Sequence, residues 1–308
     1  MAKRLLVAGG SSIDFMLSTP YIPAPDETLQ SSGKYAFIPS GKGANTAVAA
    51  KSFGAEVVFC TRVGDDSFGD KMIALFNDRG IDTRYTKVDR LEQTGLSAIM
   101  IEKNGAKRVI SYNSAAKKIS DTDIEEAFSC YPDAVLTQFE LRTDAVISAA
   151  RCAADEGIPF FIDGAGVTPD FPLEKLEKIE ILSPNETETE ILTGIRPNNL
   201  ENCLRASMAL CNKVDIGYVV LKLGNRGCYI YDGKYCDIVS PFDVNVIDRT
   251  AAGDVFTAAF VTDYLRTGDS ISAALFANAA GALTVTKAGA VTAVPTLDEV
   301  NDLIKAEQ

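Results

Sequence analysis

One short segment combines small residues with an aspartate at the predicted start of a helix. Residues 248–254 read Asp-Arg-Thr-Ala-Ala-Gly-Asp and lie between an apolar β-branched segment, 244–247, and a run of helix formers, 255–261. This pattern predicts the end of a strand, a turn and then a helix. The first amides of a helix have no intrahelical partner and carry the positive end of its dipole. We therefore predict an anion site at Ala251, Ala252 and Gly253.

Asp254 lies on the first turn of that predicted helix. A carboxylate beside an anion site suits a group that accepts a proton while the amides stabilise developing negative charge. The alternative is a first-turn acid that is favoured only by the helix dipole. The chain has no histidine, which excludes a Ser-His-Asp triad, a Cys-His pair and histidine-ligated zinc. Any chemistry must therefore use carboxylates, lysines, backbone amides or a metal held by oxygens.

A second glycine-rich stretch, residues 40–47, leads into another predicted helix. Its sequence does not match a Walker A loop, and the chain contains no GxGxxG motif. Gly41 and Gly43 leave the backbone open to a ligand, while Lys42 and Asn45 can hydrogen-bond to hydroxyl groups. The alternative is an ordinary turn from strand to helix.

Two more stretches follow predicted strands. Asn185 and Glu188 are spaced to share one helix face, where an amide and a carboxylate suit hydrated Mg²⁺. The alternative for this pair is a helix cap with acidic first-turn residues. In the second stretch, Lys222 ends a strand and the glycines Gly224 and Gly227 form a turn that can lie against a nucleotide.

The elements that must position these residues alternate between strand and helix patterns. Such alternation predicts an α/β fold, a parallel sheet with helices on both faces, and ligands at the carboxyl ends of the strands. Without repeats or linkers, residues 1–308 are expected to form a single domain. The predicted strands are 4–8, 56–62, 134–137, 159–163, 179–182 and 218–222, and the predicted helices are 45–53, 68–78, 143–156, 186–192, 199–213, 253–266, 270–287 and 297–306.

Two β-rich segments interrupt this alternation, at about 15–39 and 94–113. The second contains Asn104-Gly105, a hairpin signal between two short strands. We expect the two segments to form a small sheet that acts as a lid over the site, the alternative being surface hairpins without a role.

Composition limits the possible partners and the compartment. The net charge of −12 argues against nucleic acid as a partner, and no apolar run has signal-peptide shape or membrane-spanning length. The seven cysteines are scattered without a CxxC pair, which is typical of reduced thiols in a cytoplasmic protein.

These stretches, in this order and over essentially the whole chain, resemble the PfkB carbohydrate kinase family, and within it the ribokinases. The segments at 9–14 and 61–69 belong to the resemblance. It implies a Rossmann-like three-layer α/β/α sandwich of the ribokinase-like type, with a small β-sheet lid that often joins a homodimer. It also implies ATP-dependent phosphorylation of a sugar hydroxyl with Mg²⁺ and an activating K⁺, most similar to the conversion of D-ribose to D-ribose 5-phosphate.

The resemblance assigns roles to individual positions. Asp254 falls on the catalytic base, and Ala251, Ala252 and Gly253 on the anion hole. The binding positions fall into three groups. Around the sugar are Ser12, Asp14, Gly41, Lys42, Gly43, Asn45, Glu140 and Asp254, and around the nucleotide are Asn185, Lys222, Gly224, Gly227, Gly253 and Asn278, with Asn185 and Glu188 associated with Mg²⁺. Around K⁺, mostly through backbone carbonyls, are Asp248, Thr250, Lys287 and Gly289.

Five residues depart from the family pattern. Ser12 replaces an asparagine, Ser40 a glycine, and Arg249 and Lys222 each replace a threonine, while Ala293 replaces a serine near the K⁺ position. The first two bear on the identity of the sugar. The alternatives are therefore another substrate, such as deoxyribose, fructose or a nucleoside, or a non-catalytic sugar-binding protein of the same fold.

Overall fold

A nine-stranded sheet forms the centre of the molecule. The computed structural model describes residues 2–31, 33–103, 106–112 and 114–307. The strand order is β13-β12-β11-β10-β9-β8-β1-β4-β5, and all neighbours are parallel except β11–β12 and β12–β13. The strands are β1 Arg4–Ala8, β4 Glu56–Gly64, β5 Thr86–Asp89, β8 Ala134–Gln138, β9 Phe160–Asp163, β10 Lys178–Ser183, β11 Asp215–Lys222, β12 Cys228–Tyr231 and β13 Cys236–Val239.

Helices cover both faces of this sheet. They are α1 Lys42–Ser52, α2 Ser67–Asp78, α3 Asp121–Ala127, α4 Thr143–Asp155, α5 Glu186–Thr193, α6 Leu200–Cys211, α7 Ala252–Thr267, α8 Ser270–Val285 and α9 Leu297–Ala306. Side chains alternate along each strand, so Leu5 and Val7 pack with α1, α7 and α8, whereas Leu6 and Ala8 pack with α3, α4 and α6. The predicted three-layer α/β/α sandwich is confirmed.

The parallel strands bring distant segments to one edge of the sheet. Strands β8, β9, β10 and β11 end at Gln138, Asp163, Ser183 and Lys222, respectively, and β1 ends at Ala8 on the same edge. The carboxyl ends of parallel strands are where open α/β sheets bind ligands. The loops that follow these strands therefore surround one cleft.

A four-stranded sheet, here called the lid, consists of β2 Ser12–Thr19, β3 Tyr35–Ser40, β6 Gly95–Glu102 and β7 Lys107–Tyr112, in the order β3-β2-β6-β7. The antiparallel pairing of β6 with β7 confirms the predicted hairpin, whose Asn104-Gly105 turn lies outside the described residues. Large apolar side chains remain exposed on this sheet, including Tyr35, Ile110 and Tyr112.

The strand predicted for residues 244–247 is wrong. This segment is an extended loop in which Val246 and Ile247 are exposed, and the sheet ends instead at β13. Among the residues described, the only backbone hydrogen bonds between this region and α8 are those that the amides of Ile247 and Asp248 donate to the carbonyl of Val285. Apolar β-branched residues favour a strand only where another strand is available for pairing.

Other elements carry signals too short to be predicted. Helix α3 has seven residues and depends on a capping box between Ser120 and Asp123, while β5, β12 and β13 have four residues each.

All seven cysteines are free thiols, four of them buried. In the described part of the chain no helix combines the length and apolarity needed to cross a membrane.

Candidate active site

Helix α7 begins with an open, uncapped first turn. Ala251 adopts a left-handed conformation with φ of 64° and precedes the helix without providing a side-chain cap. No described side chain caps this turn, and the amide of Ala252 makes only a long hydrogen bond of 3.4 Å to the carbonyl of Arg249. The small side chains of Ala252 and Gly253 allow an anion to approach the first amides of α7 closely. The geometry fits the predicted anion site.

Asp254 lies on that first turn and is only 7% exposed. Its Oδ2 accepts a hydrogen bond of 2.7 Å from Nδ2 of Asn45. Burial raises the pKa of Asp254 to about 6, an effect that Lys42 opposes and Asp163 reinforces. A carboxylate with that proton affinity is ionised near neutral pH and can accept a proton from a substrate, as a general base must.

Asn45 is buried on α1, and its Oδ1 has no hydrogen-bond partner among the described residues. A buried acceptor without a partner is costly unless a ligand supplies the donor. Because Nδ2 of the same amide contacts Asp254, Oδ1 suits a hydroxyl beside that carboxylate.

The two glycines at the start of α1 serve close packing. Gly41 has φ of 103°, and a Cβ there would lie 2.6 Å from the Cα of Ser11. A Cβ on Gly43 would lie 2.4 Å from the backbone carbon of Gly9, so Gly43 faces the turn after β1 rather than the cleft. Both glycines therefore allow α1 to start against the backbone of residues 9–11, and their contact with a ligand stays a prediction.

Lys42 supplies positive charge among several carboxylates. Its pKa is raised chiefly by Asp254, against the opposing effect of burial, and further by Glu140 and Asp163. The residue nevertheless remains exposed at the surface of the cleft. Burial raises the pKa of Glu140 to about 7, and Lys42 and the amide of Gly10 act in the opposite direction. The structure thus brings Lys42, Asp254 and Glu140, which are far apart in sequence, into one electrostatic group.

The lid contributes Asp14 and Ser12 from strand β2. Asp14 is buried, and burial raises its pKa while hydrogen bonds from Ser40 and Ser97 oppose that rise. Ser12 pairs with Ser40 on β3 and, together with Gly41 and Glu140, lines a cavity of about 30 Å³. Three of the predicted sugar residues, Ser12, Gly41 and Glu140, therefore line one cavity.

Asn185 and Glu188 form a reciprocal helix cap. The side chain of Asn185 accepts from the amides of Thr187 and Glu188, and Oε2 of Glu188 accepts 2.8 Å from the amide of Asn185. Burial raises the pKa of Glu188, and Lys222 opposes that effect. Among the residues described, no three acidic or cysteine side chains cluster as a metal-binding set. These two residues fit Mg²⁺ only through its waters, as expected for an ion that arrives on phosphates.

A second polar cluster, which the sequence did not reveal, lies at the ends of β9, β10 and β11. Lys222 Nζ lies 2.5 Å from Oδ2 of Asp163 and 3.2 Å from Oγ1 of Thr257. Thr257 also contacts Asp163 and Ser183. We call Asp163, Ser183, Lys222 and Thr257 the strand-end cluster. The signal available in the sequence was that Asp163 and Lys222 each end a predicted strand.

The other predicted nucleotide positions surround the turn after β11. Gly224 and Gly227 have φ of 59° and 81°, and a Cβ on Gly227 would overlap the carbonyl of Val239. Nδ2 of the Asn278 side chain donates to the carbonyls of Val239 and Ser240. Asn278 therefore fixes the 239–240 backbone, and these three positions shape the wall of the cleft through backbone geometry.

Asp248 lies on the loop before α7 and accepts four hydrogen bonds. Its donors are the amide and hydroxyl of Thr250, the amide of Gly289 and the ammonium of Lys107, which is 3.0 Å away on β7 of the lid. Although burial alone raises the pKa of Asp248, these donors lower it overall. The Lys107 ammonium already neutralises this carboxylate, so K⁺ at this loop stays a prediction. The prediction for Lys287 concerns its backbone carbonyl, and its side chain pairs with Glu299.

Comparisons with known proteins agree with this geometry. Residues 2–297 match the model of the pfkB family carbohydrate kinases. The chain is 34% identical over 309 residues to a ribokinase of Haemophilus influenzae, covering 99% of both chains, and 27% identical to a deoxyribokinase of Salmonella typhi over 99% of both. The structure of Arabidopsis thaliana ribokinase complexed with ribose and ATP superposes with a TM-score of 0.90 at 30% identity, over 99% of each chain.

Proposed function

Because this chain belongs to the pfkB family of carbohydrate kinases, we propose that its site transfers the γ-phosphoryl group of ATP to the 5-hydroxyl of D-ribose. The observation that carries the proposal is Asp254, a buried carboxylate held by Asn45 on the uncapped first turn of α7. A proton acceptor beside helix-start amides that no described side chain caps matches the needs of phosphoryl transfer to an alcohol. The similarity to ribokinases favours ribose among the possible sugars.

In this proposal the residues of α7 perform the chemical step. Asp254 takes the proton of the attacking hydroxyl as its oxygen bonds to the γ-phosphorus and the bond to the ADP oxygen breaks. The amides of Ala252 and Gly253 stabilise the charge on the transferring group, and Ala251 gives the turn its left-handed entry. When bound to the phosphates, Mg²⁺ supplies positive charge, and Asn185 and Glu188 hold its waters. Gly224, Gly227 and Asn278 shape the nucleotide wall.

We assign sugar recognition to the group formed by Asp14, Lys42, Asn45 and Glu140. Carboxylates, an amide and an ammonium that face one site can satisfy several hydroxyls at once, and the buried ones are left without a partner when a hydroxyl is missing. The unpartnered Oδ1 of Asn45 supports this assignment. Ser12 and Ser40 lie beside the same pocket and are the positions to vary if another sugar is preferred.

A substrate panel tests the proposal. ADP release is measured with ATP and Mg²⁺ alone and with ribose, 2-deoxyribose, fructose and nucleosides. We expect turnover to depend on sugar and kcat/KM to be highest for ribose. A higher kcat/KM for deoxyribose or another member of the panel would contradict the choice of ribose, and sugar binding without ADP release would identify a non-catalytic binding protein of this fold.

The lid is assigned a second role in assembly. Its exposed apolar side chains, among them Tyr35, Ile110 and Tyr112, would be buried if two lids packed together, and the edges of a small sheet would be protected. We therefore propose a homodimer joined through the lids, with a single domain in each chain.

We also propose that K⁺ binds at the Asp248 loop, together with Thr250 and Gly289. The seven free thiols support a reducing compartment such as the cytoplasm.

A further inference from the structure

Lys222 lies near the first turns of two helices, α5 and α7. It is the last residue of β11, its side chain is 10% exposed, and its amide donates 2.9 Å to the carbonyl of Pro184, just before the cap of α5. On the other side, a Cβ built on Gly253 would lie 3.8 Å from its Nζ. The ammonium is therefore placed between the starts of α5 and α7.

One of the three N–H donors of this ammonium has no acceptor among the described residues. A lysine ammonium carries three N–H donors. One is directed to Asp163 and one to Thr257, which are the two described partners of Nζ. The remaining donor is available to a ligand at the anion site, since Gly253 is the part of that site whose built Cβ lies 3.8 Å from Nζ.

Stability alone does not account for a lysine at this position. Taking a lysine and a carboxylate out of water costs several kcal/mol for each ion, and apolar residues of similar volume often give a fold of equal or greater stability. The pair instead places the Lys222 ammonium close to Asp254 and Glu188, where it opposes the rise of both carboxyl pKa values while Asp163 reinforces that rise.

We propose that Lys222 contacts the transferring phosphoryl group as a catalytic residue, with Asp163 and Thr257 as positioning residues that aim its ammonium. This inference rests on the proposed kinase function. During the step the bond from the sugar oxygen to phosphorus forms, the bond from phosphorus to the ADP oxygen breaks, and the hydroxyl proton goes to Asp254. Lys222 keeps its proton throughout and donates to an equatorial phosphoryl oxygen, where negative charge is stabilised in the transition state.

Three variants separate this role from neutralisation of Asp163. Lys222→Met keeps the length of the side chain and removes the charge, and Lys222→Arg keeps the charge. The double variant Lys222→Met with Asp163→Asn also removes the carboxylate that Lys222→Met leaves without its partner. Melting temperature, kcat and the KM for sugar are measured for each variant and for the wild type.

We expect Lys222→Met to lower kcat about 10²-fold, of the order seen when one preorganised donor is removed, with the KM for sugar changed less than about threefold. The double variant should regain thermal stability but not kcat, and Lys222→Arg should retain more activity than either. Recovery of kcat in the double variant would overturn the proposal, because Lys222 would then only neutralise Asp163.

A binding measurement gives an independent readout. We compare the affinity for ADP with that for ADP, aluminium fluoride and Mg²⁺ in the presence of ribose, which together mimic the transferring phosphoryl group. We expect the double variant to bind ADP within about threefold of the wild type and the aluminium fluoride complex at least tenfold more weakly. An equal loss of affinity for ADP and for the aluminium fluoride complex would overturn the catalytic role of Lys222.

The failure of this proposal can be told from the failure of the proposed function. A wild type without sugar-dependent turnover would contradict the proposed function, whereas an active wild type with fully active variants contradicts only the role of Lys222.

Discussion

Two aspartates on the same loop and helix start have opposite environments. Asp254 is buried with one hydrogen-bond donor from Asn45, and burial raises its pKa to about 6. Asp248 is also shielded, which by itself raises its pKa, but donors from Thr250, Gly289 and Lys107 lower it overall. Neighbouring positions in the chain therefore hold one carboxylate that exchanges a proton near neutral pH and one that stays ionised.

The difference shows how the number of donors selects the role of a carboxylate. A group that must accept a proton cannot be stabilised too strongly as an anion, because its proton affinity would be lost. A group that organises a loop or holds a cation benefits from remaining an anion. The same residue type thus suits a base at Asp254 and a fixed anchor at Asp248.

The largest expected effect is that of Asp254→Asn. An amide keeps the size of the side chain but cannot accept the hydroxyl proton, so we expect kcat to fall roughly 10²–10⁴-fold. Binding of sugar and ATP, measured by calorimetry, should stay within several-fold. Asp248→Asn is the matched comparison, and its loss of kcat should be much smaller. Near-full kcat in Asp254→Asn with unchanged binding would remove Asp254 from the chemical step.

The next effect is a pH dependence that only one of the two aspartates should cause. Asp254 acts as a base when ionised, so kcat/KM should fall as pH drops below about 6, by roughly tenfold per pH unit. Glu140, with a pKa of about 7, should add a change in sugar KM just above that range. Stopped assays from pH 5 to pH 9 measure both. The acidic decline should persist in Asp248→Asn, and its absence from the wild type would contradict the assignment of the base.

The free energy of unfolding should change with pH in the direction opposite to that of kcat/KM. Because folding raises the pKa of Asp254, the folded state binds more protons between about pH 4 and pH 6, and stability falls as pH rises through that range. At pH 7.5 we therefore expect the free energy of unfolding of Asp254→Asn to exceed that of the wild type by about 1–3 kcal/mol. The variant should accordingly melt at a higher temperature. The difference should shrink toward pH 4. A destabilised variant at pH 7.5 would show that contacts of the carboxylate outweigh its desolvation.

A smaller effect concerns the cation at Asp248. Lys107 and a bound K⁺ would compete for the same carboxylate, so K⁺ in place of Na⁺ should raise the rate more in Lys107→Ala than in the wild type. We expect a change of a few-fold, measured at constant ionic strength. Lys103→Ala, one residue after β6 and without a described contact to Asp248, is the control. Equal rates in the two salts for both variants would argue against K⁺ at this loop.

The smallest effect on the chemical step should come from the lid surface. Ile110→Asp places a charge on the exposed apolar face and should convert the proposed dimer to a monomer, as measured by light scattering at micromolar concentration. Because Asp248 depends on the lid through Lys107 and Asp254 does not, the salt response should change while the acidic decline in kcat/KM remains. A wild type that is monomeric at these concentrations would contradict the dimer.

The sequence by itself determined the architecture and the first turn of α7. Apolar residues with strand and helix periods predicted the parallel sheet with helices on both faces, because a side chain's period fixes which face it presents. Two alanines and a glycine before Asp254 predicted a helix start accessible to an anion. The hairpin of β6 and β7 was also local enough to be predicted. The strand at 244–247 was not, because local propensity does not supply a neighbouring strand.

Tertiary structure alone decided which side chains meet and which charge state they favour. Asp163, Lys222 and Thr257 come from three separate elements and are joined only by the order of the strands and the packing of α7. Lys107 reaches Asp248 only because the lid lies over the loop. The pKa of a carboxylate depends on burial and on donors that arrive from distant segments, so the opposite shifts of Asp248 and Asp254 have no counterpart in the local sequence.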